Sequence, residues 1–353
     1  MKGCAAIRGT VTLREIQDQP EAWAAAIEAF GSKAERVERL FEARSPDTVV
    51  FTGCGSSYYL SLTAAAVFQE VTGLAAKAVP ASEILQFADA VFAPASIPLL
   101  VASSRSGTTS ETLRAVRVAA RRGIPTLSLT CSKRSPLARE ADLTLVSPKG
   151  GERSVVMTKS FSSLLLLALL VAATCGGEKH FRRELQRLPA LGRRVLKIAL
   201  PLMQDIGAGA ARFVFLGGGP THGIAWEAML KLTEMAERPA VAYHPLEFRH
   251  GPIALAGPGA VAVLFGTRAG ARLEADLVRD LRNHGTMVVI LRDDWKALAE
   301  AEVDVALGMG LTDAARSLLY LPFAQALAYH RAVGGGLNPD RPRDLTSVVR
   351  LRD

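Results

Sequence analysis

The chain has 353 residues, of which 49% are hydrophobic, so it is long enough for two domains with packed cores. Its net charge of +8 comes from basic residues spread along the sequence, with no block of five or more like charges, which argues against a nucleic-acid-binding tail. The four cysteines show neither a C-x-x-C pair nor metal-ligand spacing with the six histidines, and the N-terminus lacks a signal-peptide pattern. We therefore expect a cytoplasmic protein with reduced thiols and no cofactor, whose partners include neither nucleic acid nor membrane.

The first half of the chain is predicted to alternate strands and helices. Its apolar runs predict strands over residues 49–53, 99–103 and 124–129 and a helix over residues 58–70. A second, amphipathic helix follows the second strand, with Leu113, Val116 and Ala120 at helical spacing.

The turn before this second helix is rich in hydroxyl groups. A turn at the start of a helix leaves backbone N–H groups unpaired at the positive end of the helix, which favours an anion. Ser104, Ser106 and Thr109 add hydroxyl donors around Gly107. The alternative is an ordinary helix N-cap. The density of hydroxyls favours a phosphate site, although the spacing is not that of a Walker A loop.

The second half repeats this pattern at an offset of about 163 residues. Apolar runs recur at residues 213–219, 261–265 and 287–291, with a helix predicted over residues 224–235. We therefore predict an α/β protein of two tandem open parallel sheets with helices on both faces, with domains at residues 1–180 and 181–353.

Two segments join the predicted repeats. Residues 161–175 are the most apolar stretch, but they are too short to cross a bilayer and predict a helix buried on all sides. The charged residues 176–194 are predicted to connect the repeats.

The two repeats differ chemically where their strands end. Ser56, Ser57 and the hydroxyl-rich turn lie in the first repeat, whereas the second carries glycines at 217–219, so the phosphate is expected in the first. In the second, Glu227, Lys231 and Glu234 share one helical face, either as acid–base groups or as a solvated salt-bridged surface. With His250 before a Gly-Pro turn, they suit a sugar-phosphate isomerase, in which one group opens the ring and another moves a proton between C1 and C2.

Several motifs in order resemble the sugar isomerase (SIS) family. Over most of its length the chain resembles the isomerase half of glucosamine-6-phosphate synthases, on residues 13–21, 225–255, 320–330 and 338–345. The resemblance implies flavodoxin-like domains, with the phosphate held by Ser57, Ser104, Arg105, Ser106 and Thr109. It also implies Glu234 as the C1/C2 base supported by Lys231, and His250 as the ring-opening group, supplied to the site of the partner subunit in a homodimer. Further substrate contacts are expected from Ser56, Val155, Glu227 and Ser347.

The sequence departs from the synthase pattern in two places. Residues 1–13 are too few for a glutaminase domain and Cys4 is not an N-terminal nucleophile, so glutamine is not expected as the source of ammonia. Ser347 stands where the family carries a Schiff-base lysine, and the nearby Arg350 cannot form an imine. Residues 152–161 resemble the SIS-type glucosamine-6-phosphate deaminases and ketose/aldose isomerases, and Lys159 within them is considered as a substitute.

These observations predict an amino-sugar-phosphate isomerase and deaminase that converts glucosamine 6-phosphate, or an epimer, to a ketose 6-phosphate and ammonia. The alternatives within the enzymes are a plain phosphosugar ketose/aldose isomerase and a synthase-like enzyme that uses free ammonia. A sugar-phosphate-sensing regulatory protein is the alternative of another class. A transcriptional sensor is expected to carry a helix-turn-helix segment, and Glu234 and His250 favour an enzyme.

Overall fold

Two five-stranded parallel sheets, each flanked by helices, form the framework of the molecule. The computed structural model describes residues 8–294, 296, 300–346 and 351. The strands in this part of the chain are β1 (Thr48–Gly53), β2 (Ala75–Pro80), β3 (Pro98–Ser104), β4 (Thr126–Thr130), β5 (Leu143–Val146), β6 (Arg212–Leu216), β7 (Ala240–Tyr243), β8 (Ala260–Phe265), β9 (Met287–Arg292) and β10 (Val303–Ala306).

The helices cover both faces of each sheet and the junction between the sheets. They are α1 (Thr10–Gln17), α2 (Gln19–Gly31), α3 (Ala34–Arg44), α4 (Ser56–Thr72), α5 (Ala81–Gln86), α6 (Ala88–Val91), α7 (Ser110–Arg121), α8 (Pro136–Glu140), α9 (Lys159–Cys175), α10 (Lys179–Leu202), α11 (His222–Ala236), α12 (Pro245–Phe248), α13 (Ala271–Asn283) and α14 (Asp313–Gly334). Two short 3-10 turns lie at Gly219–Thr221 and Pro252–Leu255.

The predicted repeat is confirmed in the strand order. The first sheet runs β2-β1-β3-β4-β5, and the second has the same order, β7-β6-β8-β9-β10, with every pair parallel. The central strands are mostly apolar, and all of β8 and all of β3 after Pro98 is buried, as expected for parallel sheets covered on both faces. In each sheet the strand order changes direction between two neighbouring strands, β1 and β3 in the first sheet and β6 and β8 in the second. Sheets of this kind bind ligands at this point, beyond the carboxyl ends of the strands.

One continuous hydrophobic core joins the two domains. It includes α9, whose residues from Ser160 to Thr174 are all buried, as predicted for this apolar stretch. No helix among the described residues is both long and apolar enough to cross a membrane. The predicted connector at 176–194 lies mostly in α10, a 24-residue helix whose apolar side, including Leu188 and Val195, packs on the same core.

Helices α4 and α11, which follow the first strand of each repeat, pack against each other at the domain junction. They approach closely at Gly223, where an added Cβ would lie 2.2 Å from the carbonyl oxygen of Tyr59. The rings of Tyr59 and Trp226 lie 5.5 Å apart beside it. This close approach brings the beginning of α4 next to the polar face of α11.

One detail of the predicted helix packing is wrong. Ala120 is exposed, and the buried residues of α7 are Thr112, Ala115, Val116 and Ala119. Val116 is buried as predicted and Leu113 packs at the edge of the core, so the buried stripe passes through Ala119 and not through Ala120.

Candidate active site

A cavity of about 210 Å³ lies at the carboxyl ends of β1 and β3, where the strand order of the first sheet changes direction. Most of its wall comes from the turns after these two strands. The second domain contributes Glu234, and the C-terminal segment contributes Leu345 and Thr346. The other lining residues are Cys54, Gly55, Ser56, Ser57, Ser104, Arg105, Ser106, Thr109, Glu111, Val155 and Met157.

The hydroxyl-rich turn between β3 and α7 is closed by its own side chains. Ser104 Oγ accepts a hydrogen bond from the Gly107 N–H at 3.1 Å and lies 3.1 Å from Thr109 Oγ1. Gly107 has a φ of +64°, and an added Cβ would collide with the side chain of Ser135, so glycine is required here. Thr109 occupies the N-cap position but makes no capping hydrogen bond through its side chain. The ordinary N-cap alternative therefore does not describe this turn, which presents its hydroxyls to the cavity.

Arg105 supplies a positive charge at this turn and is held by Glu152. Arg105 Nη1 lies 3.1 Å from Glu152 Oε2, and the Glu152 side chain is fully buried. The other oxygen, Oε1, accepts hydrogen bonds from the backbone N–H groups of Thr158 and Ser160 at the start of α9. The sequence motif at 152–161 therefore orients Arg105 and caps α9.

Lys231 lies between two glutamates and a serine of the other domain. Its Nζ is 3.3 Å from Glu227 Oε1, 2.5 Å from Glu234 Oε2 and 3.1 Å from Ser56 Oγ. Ser56 Oγ in turn donates to Glu227 Oε1 at 3.2 Å. The side chains of Glu227 and Lys231 are fully buried, so the alternative of a solvated, salt-bridged surface is wrong. Glu234, 22% exposed, is the member that reaches the cavity.

The burial of this group shifts its protonation. Burial raises the pKa of Glu227 to about 8, with Lys231 opposing and Glu234 reinforcing the effect. Burial also disfavours the Lys231 ammonium, but the two neighbouring carboxylates outweigh it and raise the pKa of Lys231. Glu227 Oε2 is buried with no hydrogen-bond partner in the described structure. Lys231 therefore stays charged and fully buried, in position to orient Glu234.

The N-terminal helix holds two segments of the cavity wall. The Glu15 carboxylate on α1 accepts hydrogen bonds from the N–H groups of Arg153 and Ser154, just before the lining residue Val155. At the start of α1, the N–H of Thr12 donates to Asp340 Oδ1 at 2.7 Å, and Thr12 Oγ1 does so at 2.8 Å. These bonds fix the C-terminal segment that continues to Leu345 and Thr346 at the cavity.

Four predicted residues among those the structure describes do not line this cavity. The expected substrate contact Glu227 and the supporting Lys231 are fully buried behind Ser56 and Glu234, so Glu227 is not placed to touch a ligand. His250 lies exposed on the turn after α12 and does not line the cavity of its own chain. Lys159 lines a separate cavity near Asp18, whose carboxylate oxygen lies 3.8 Å from Lys159 Nζ, so it is wrong as a substitute for the Schiff-base lysine. Ser347 lies outside the described residues, although its neighbour Thr346 reaches the cavity.

The sequence pattern did not single out Glu111, Cys54 and Met157 as lining residues. Glu111 Oε2 is buried and has no hydrogen-bond partner among the described residues. Burial raises the pKa of Cys54 to about 11, and the nearby Glu111 carboxylate adds to this, so Cys54 is a neutral thiol and not a nucleophile. Glu111 lies in the first turn of α7, directly after the hydroxyl-rich turn predicted to bind phosphate. Its position next to that turn was the signal in the sequence that it could line the cavity. Across the described residues, no group of three or more His, Cys, Asp or Glu could hold a metal ion.

Comparisons with known proteins match both repeats and most of the chain. The family model described as the SIS domain matches residues 43–174 and 208–310. The chain is 31% identical to the glutamine–fructose-6-phosphate aminotransferase (isomerizing) of Pseudomonas aeruginosa over 345 residues, which are 92% of this chain and 54% of that protein. The chain thus spans about half the length of the curated aminotransferases it matches.

Other relatives match this chain over nearly their whole length. A Streptomyces coelicolor protein, provisionally named D-galactosamine-6-phosphate deaminase AgaS, is 29% identical, and the match covers 96% of this chain and 93% of that protein. Among solved structures, a glucosamine-6-phosphate deaminase from Thermotoga maritima is 31% identical with a TM-score of 0.82, covering 97% of this chain and 100% of that chain. A protein from Clostridium novyi, provisionally named tagatose-6-phosphate ketose/aldose isomerase, is 25% identical with a TM-score of 0.89, covering 98% and 95%.

Proposed function

The chain belongs to the SIS domain family, and we propose that it is an amino-sugar-phosphate isomerase and deaminase. The proposed reaction converts a hexosamine 6-phosphate and water to a ketose 6-phosphate and ammonia. One observation carries the proposal. The Glu234 carboxylate opens into the same cavity as the hydroxyl-rich turn of the other domain, so a base and an anion site face one ligand.

The first domain is proposed to hold the phosphate. Ser104, Ser106 and Thr109 offer hydroxyl donors at the amino end of α7, and Arg105 offers a positive charge fixed by Glu152. A phosphate dianion is bound best by such charge-assisted hydrogen bonds together with the positive end of a helix. Ser57, at the start of α4, lines the same cavity and adds another hydroxyl.

The second domain is proposed to move the proton. After ring opening, Glu234 removes the proton from C2 and returns it to C1, while one proton of the amine passes to the C1 oxygen, which converts the 2-amino aldehyde to a 2-imine with a hydroxymethyl group at C1. Lys231 touches Glu234 but is buried away from the cavity, so it is a positioning residue that orients the carboxylate. Water then adds to C2 of the imine, and ammonia leaves with the C2–N bond to give the ketose.

Two relatives support the deaminase reading over the plain isomerase. One is named as a glucosamine-6-phosphate deaminase and the other, provisionally, as a galactosamine-6-phosphate deaminase. The present chain matches each of them over nearly the full length of that protein. The plain isomerase remains the second candidate because the Clostridium novyi structure is similar over almost the whole chain. The two reactions share the Glu234 proton transfer, and only the deaminase ends with water attack and loss of ammonia.

His250 is proposed to open the sugar ring in the site of a second subunit. The side chain is exposed on the turn before Gly251 and Pro252, and it does not line the cavity of its own chain. A homodimer that places this turn at the partner's cavity would supply the missing acid–base group.

The proposed reaction is tested with a panel of glucosamine, galactosamine and mannosamine 6-phosphates alongside tagatose and fructose 6-phosphates. We expect ammonia release in equal amounts with ketose phosphate from at least one hexosamine phosphate, and none with the Glu234→Gln variant. Interconversion of the neutral sugar phosphates without ammonia release from any hexosamine would instead establish the plain isomerase. Binding without turnover of any of them would favour the sensor.

A further inference from the structure

We propose that Glu111 selects the sugar in the candidate active site by accepting a hydrogen bond from a hydroxyl group on C3 or C4. The inference rests on the proposed function and deepens it. It concerns the part of the substrate between the phosphate and the reacting carbons C1 and C2, which neither the hydroxyl-rich turn nor Glu234 is proposed to hold.

Glu111 belongs to the wall of the candidate active site. It is the second residue of α7, directly after the turn proposed to bind the phosphate, and it lines the cavity together with Ser104 and Thr109. Glu234 lines the same cavity from the second domain. Because the cavity measures only about 210 Å³, a ligand that reaches from the turn to Glu234 lies against Glu111.

The Glu111 carboxylate has an unused acceptor atom. Its Oε2 is buried and receives no hydrogen bond from the described residues. Two other acids of the site are occupied, since Glu152 accepts from Arg105 and Glu234 pairs with Lys231. A buried carboxylate oxygen that has lost water and gained no donor is unfavourable. Such an atom in a cavity wall suits a hydrogen-bond donor of the ligand.

The surroundings of Glu111 restrict what this donor can be. The Cys54 thiol is close enough for the Glu111 charge to raise its pKa, but its Sγ contacts Thr112 Oγ1 at 3.7 Å. A phosphate oxygen carries negative charge and is repelled by the carboxylate. The positive end of α7 favours an acid in its first turn, but this interaction gives Oε2 no donor. The donor is therefore expected from the sugar and not from its phosphate.

The place of Glu111 between the two ends of the site favours the hydroxyl groups on C3 and C4. In a hexose 6-phosphate the phosphate lies at one end of the carbon chain, and C1 and C2 lie at the other. The turn is proposed to hold the first end and Glu234 the second. Between them, the C3 and C4 hydroxyls are free in both the ring and the open chain. Because epimers differ in the direction of one such group, a fixed acceptor on α7 would also discriminate between epimers.

The experiment measures binding by calorimetry with the full chain, as wild type and as Glu111→Ala. The ligands are inorganic phosphate, the best-binding of the hexosamine and ketohexose 6-phosphates, and the 3-deoxy and 4-deoxy analogues of that sugar. We expect one deoxy analogue to bind wild type about 10–100-fold more weakly than the parent sugar, and Glu111→Ala to bind the two equally. Inorganic phosphate should bind the variant at least as tightly as wild type, because a repelling carboxylate is lost.

The matched control is Glu140→Ala. This change also removes a carboxylate beside α7, where Glu140 accepts hydrogen bonds from Arg117 at 2.7 Å, but Glu140 does not line the cavity. We expect its affinities for all four ligands to equal those of wild type. Glu111→Gln serves if Glu111→Ala does not fold. It keeps a neutral acceptor, so the difference between parent and deoxy sugar should shrink without disappearing.

Three results would overturn the proposal. The first is a wild-type chain that binds the parent sugar and both deoxy analogues equally. The second is a folded Glu111 variant that keeps the wild-type differences. The third is a variant that loses inorganic phosphate and sugar phosphate to the same extent, which would make Glu111 a structural part of the turn. A chain with the expected binding pattern that releases no ammonia would contradict only the deaminase reaction.

Discussion

Lys231 Nζ, on α11 of the second domain, donates a 3.1 Å hydrogen bond to Ser56 Oγ, the first residue of α4 in the first domain. Ser56 Oγ also donates a hydrogen bond to Glu227, and the side chains of Lys231 and Glu227 are fully buried. The cation next to the proposed base is therefore held by both domains, so its position depends on how α4 and α11 pack.

We predict that Ser56→Ala destabilises the protein although it removes only one hydroxyl. The change leaves Lys231 and Glu227 each short of one hydrogen bond in a fully buried place, which costs about 1–3 kcal/mol of unfolding free energy. Chemical denaturation measures it. Ser61→Ala is the matched control, because within the described part of the chain the buried Ser61 hydroxyl bonds to the Ser57 carbonyl of its own helix and to nothing else, and its loss is expected to cost less. Equal costs for the two variants would contradict the account.

We predict that Ser104→Ala combined with Thr109→Ala raises KM for the phosphorylated sugar strongly. Each lost charge-assisted bond is worth about 1.5–3 kcal/mol, so KM should rise by about 10²-fold or more while the fold is kept. Steady-state kinetics on the active hexosamine phosphate gives the measurement. Ser128→Ala is the control, since this buried serine on β4 pairs with Thr144 and does not line the cavity. An unchanged KM in the folded double variant would place the phosphate elsewhere.

We predict that His250→Ala and Glu234→Gln are each nearly inactive and that mixing them restores activity. In a mixed dimer with shared sites, one site lacks both groups and the other has both. Random mixing of chains with independent sites should therefore recover about a quarter of wild-type activity. Refolded mixtures are assayed after subunit exchange has been shown by mass spectrometry. Exchange without recovery would place His250 in its own chain's site or in none.

We predict that Glu274→Gln changes how stability depends on pH. Burial raises the pKa of Glu274 to about 7 from an ordinary value of 4.5. The folded chain therefore holds this proton more tightly than the unfolded chain, so the contribution of Glu274 to stability is full below about pH 4.5 and is lost as pH rises toward 7. The unfolding free energy of the Gln variant relative to wild type should rise between pH 5 and 7, by roughly 2–3 kcal/mol at most. The exposed Glu300→Gln control should show a flat difference, and a flat difference for Glu274→Gln as well would contradict the prediction.

The fold was predictable from the sequence because the same order of apolar strand runs and helices occurs twice. Apolar strand runs that end in glycine or hydroxyl turns recur at a constant offset, and the structure confirms two sheets with the same strand order. The burial of Lys231 was not predictable from helical spacing, because that spacing places charges on one face without saying what covers the face. The cover is the start of α4, more than 150 residues away in sequence, which approaches closely at Gly223.

The failures at the site share the same cause. Lys159 lines a different cavity from Val155 and Met157, and sequence distance alone does not predict this. The contact of Asp313 with the turn after β8 was also hidden, since Asp313 begins a helix 45 residues beyond that turn. The asymmetry of the two repeats was visible in their turn residues, but the carboxylate that fills the second turn was not.

Glu234 is proposed to move the C2 proton of a phosphorylated amino sugar held by the first domain. The direct measurement follows ammonia release and deuterium incorporation at C1 of the ketose phosphate in D₂O, for wild type and Glu234→Gln. We predict that the variant binds the sugar phosphate with little change while kcat falls by about 10²–10⁴-fold and solvent exchange disappears, because glutamine keeps the shape but cannot accept the proton. A variant that exchanges the proton and releases ammonia at the wild-type rate would contradict the claim.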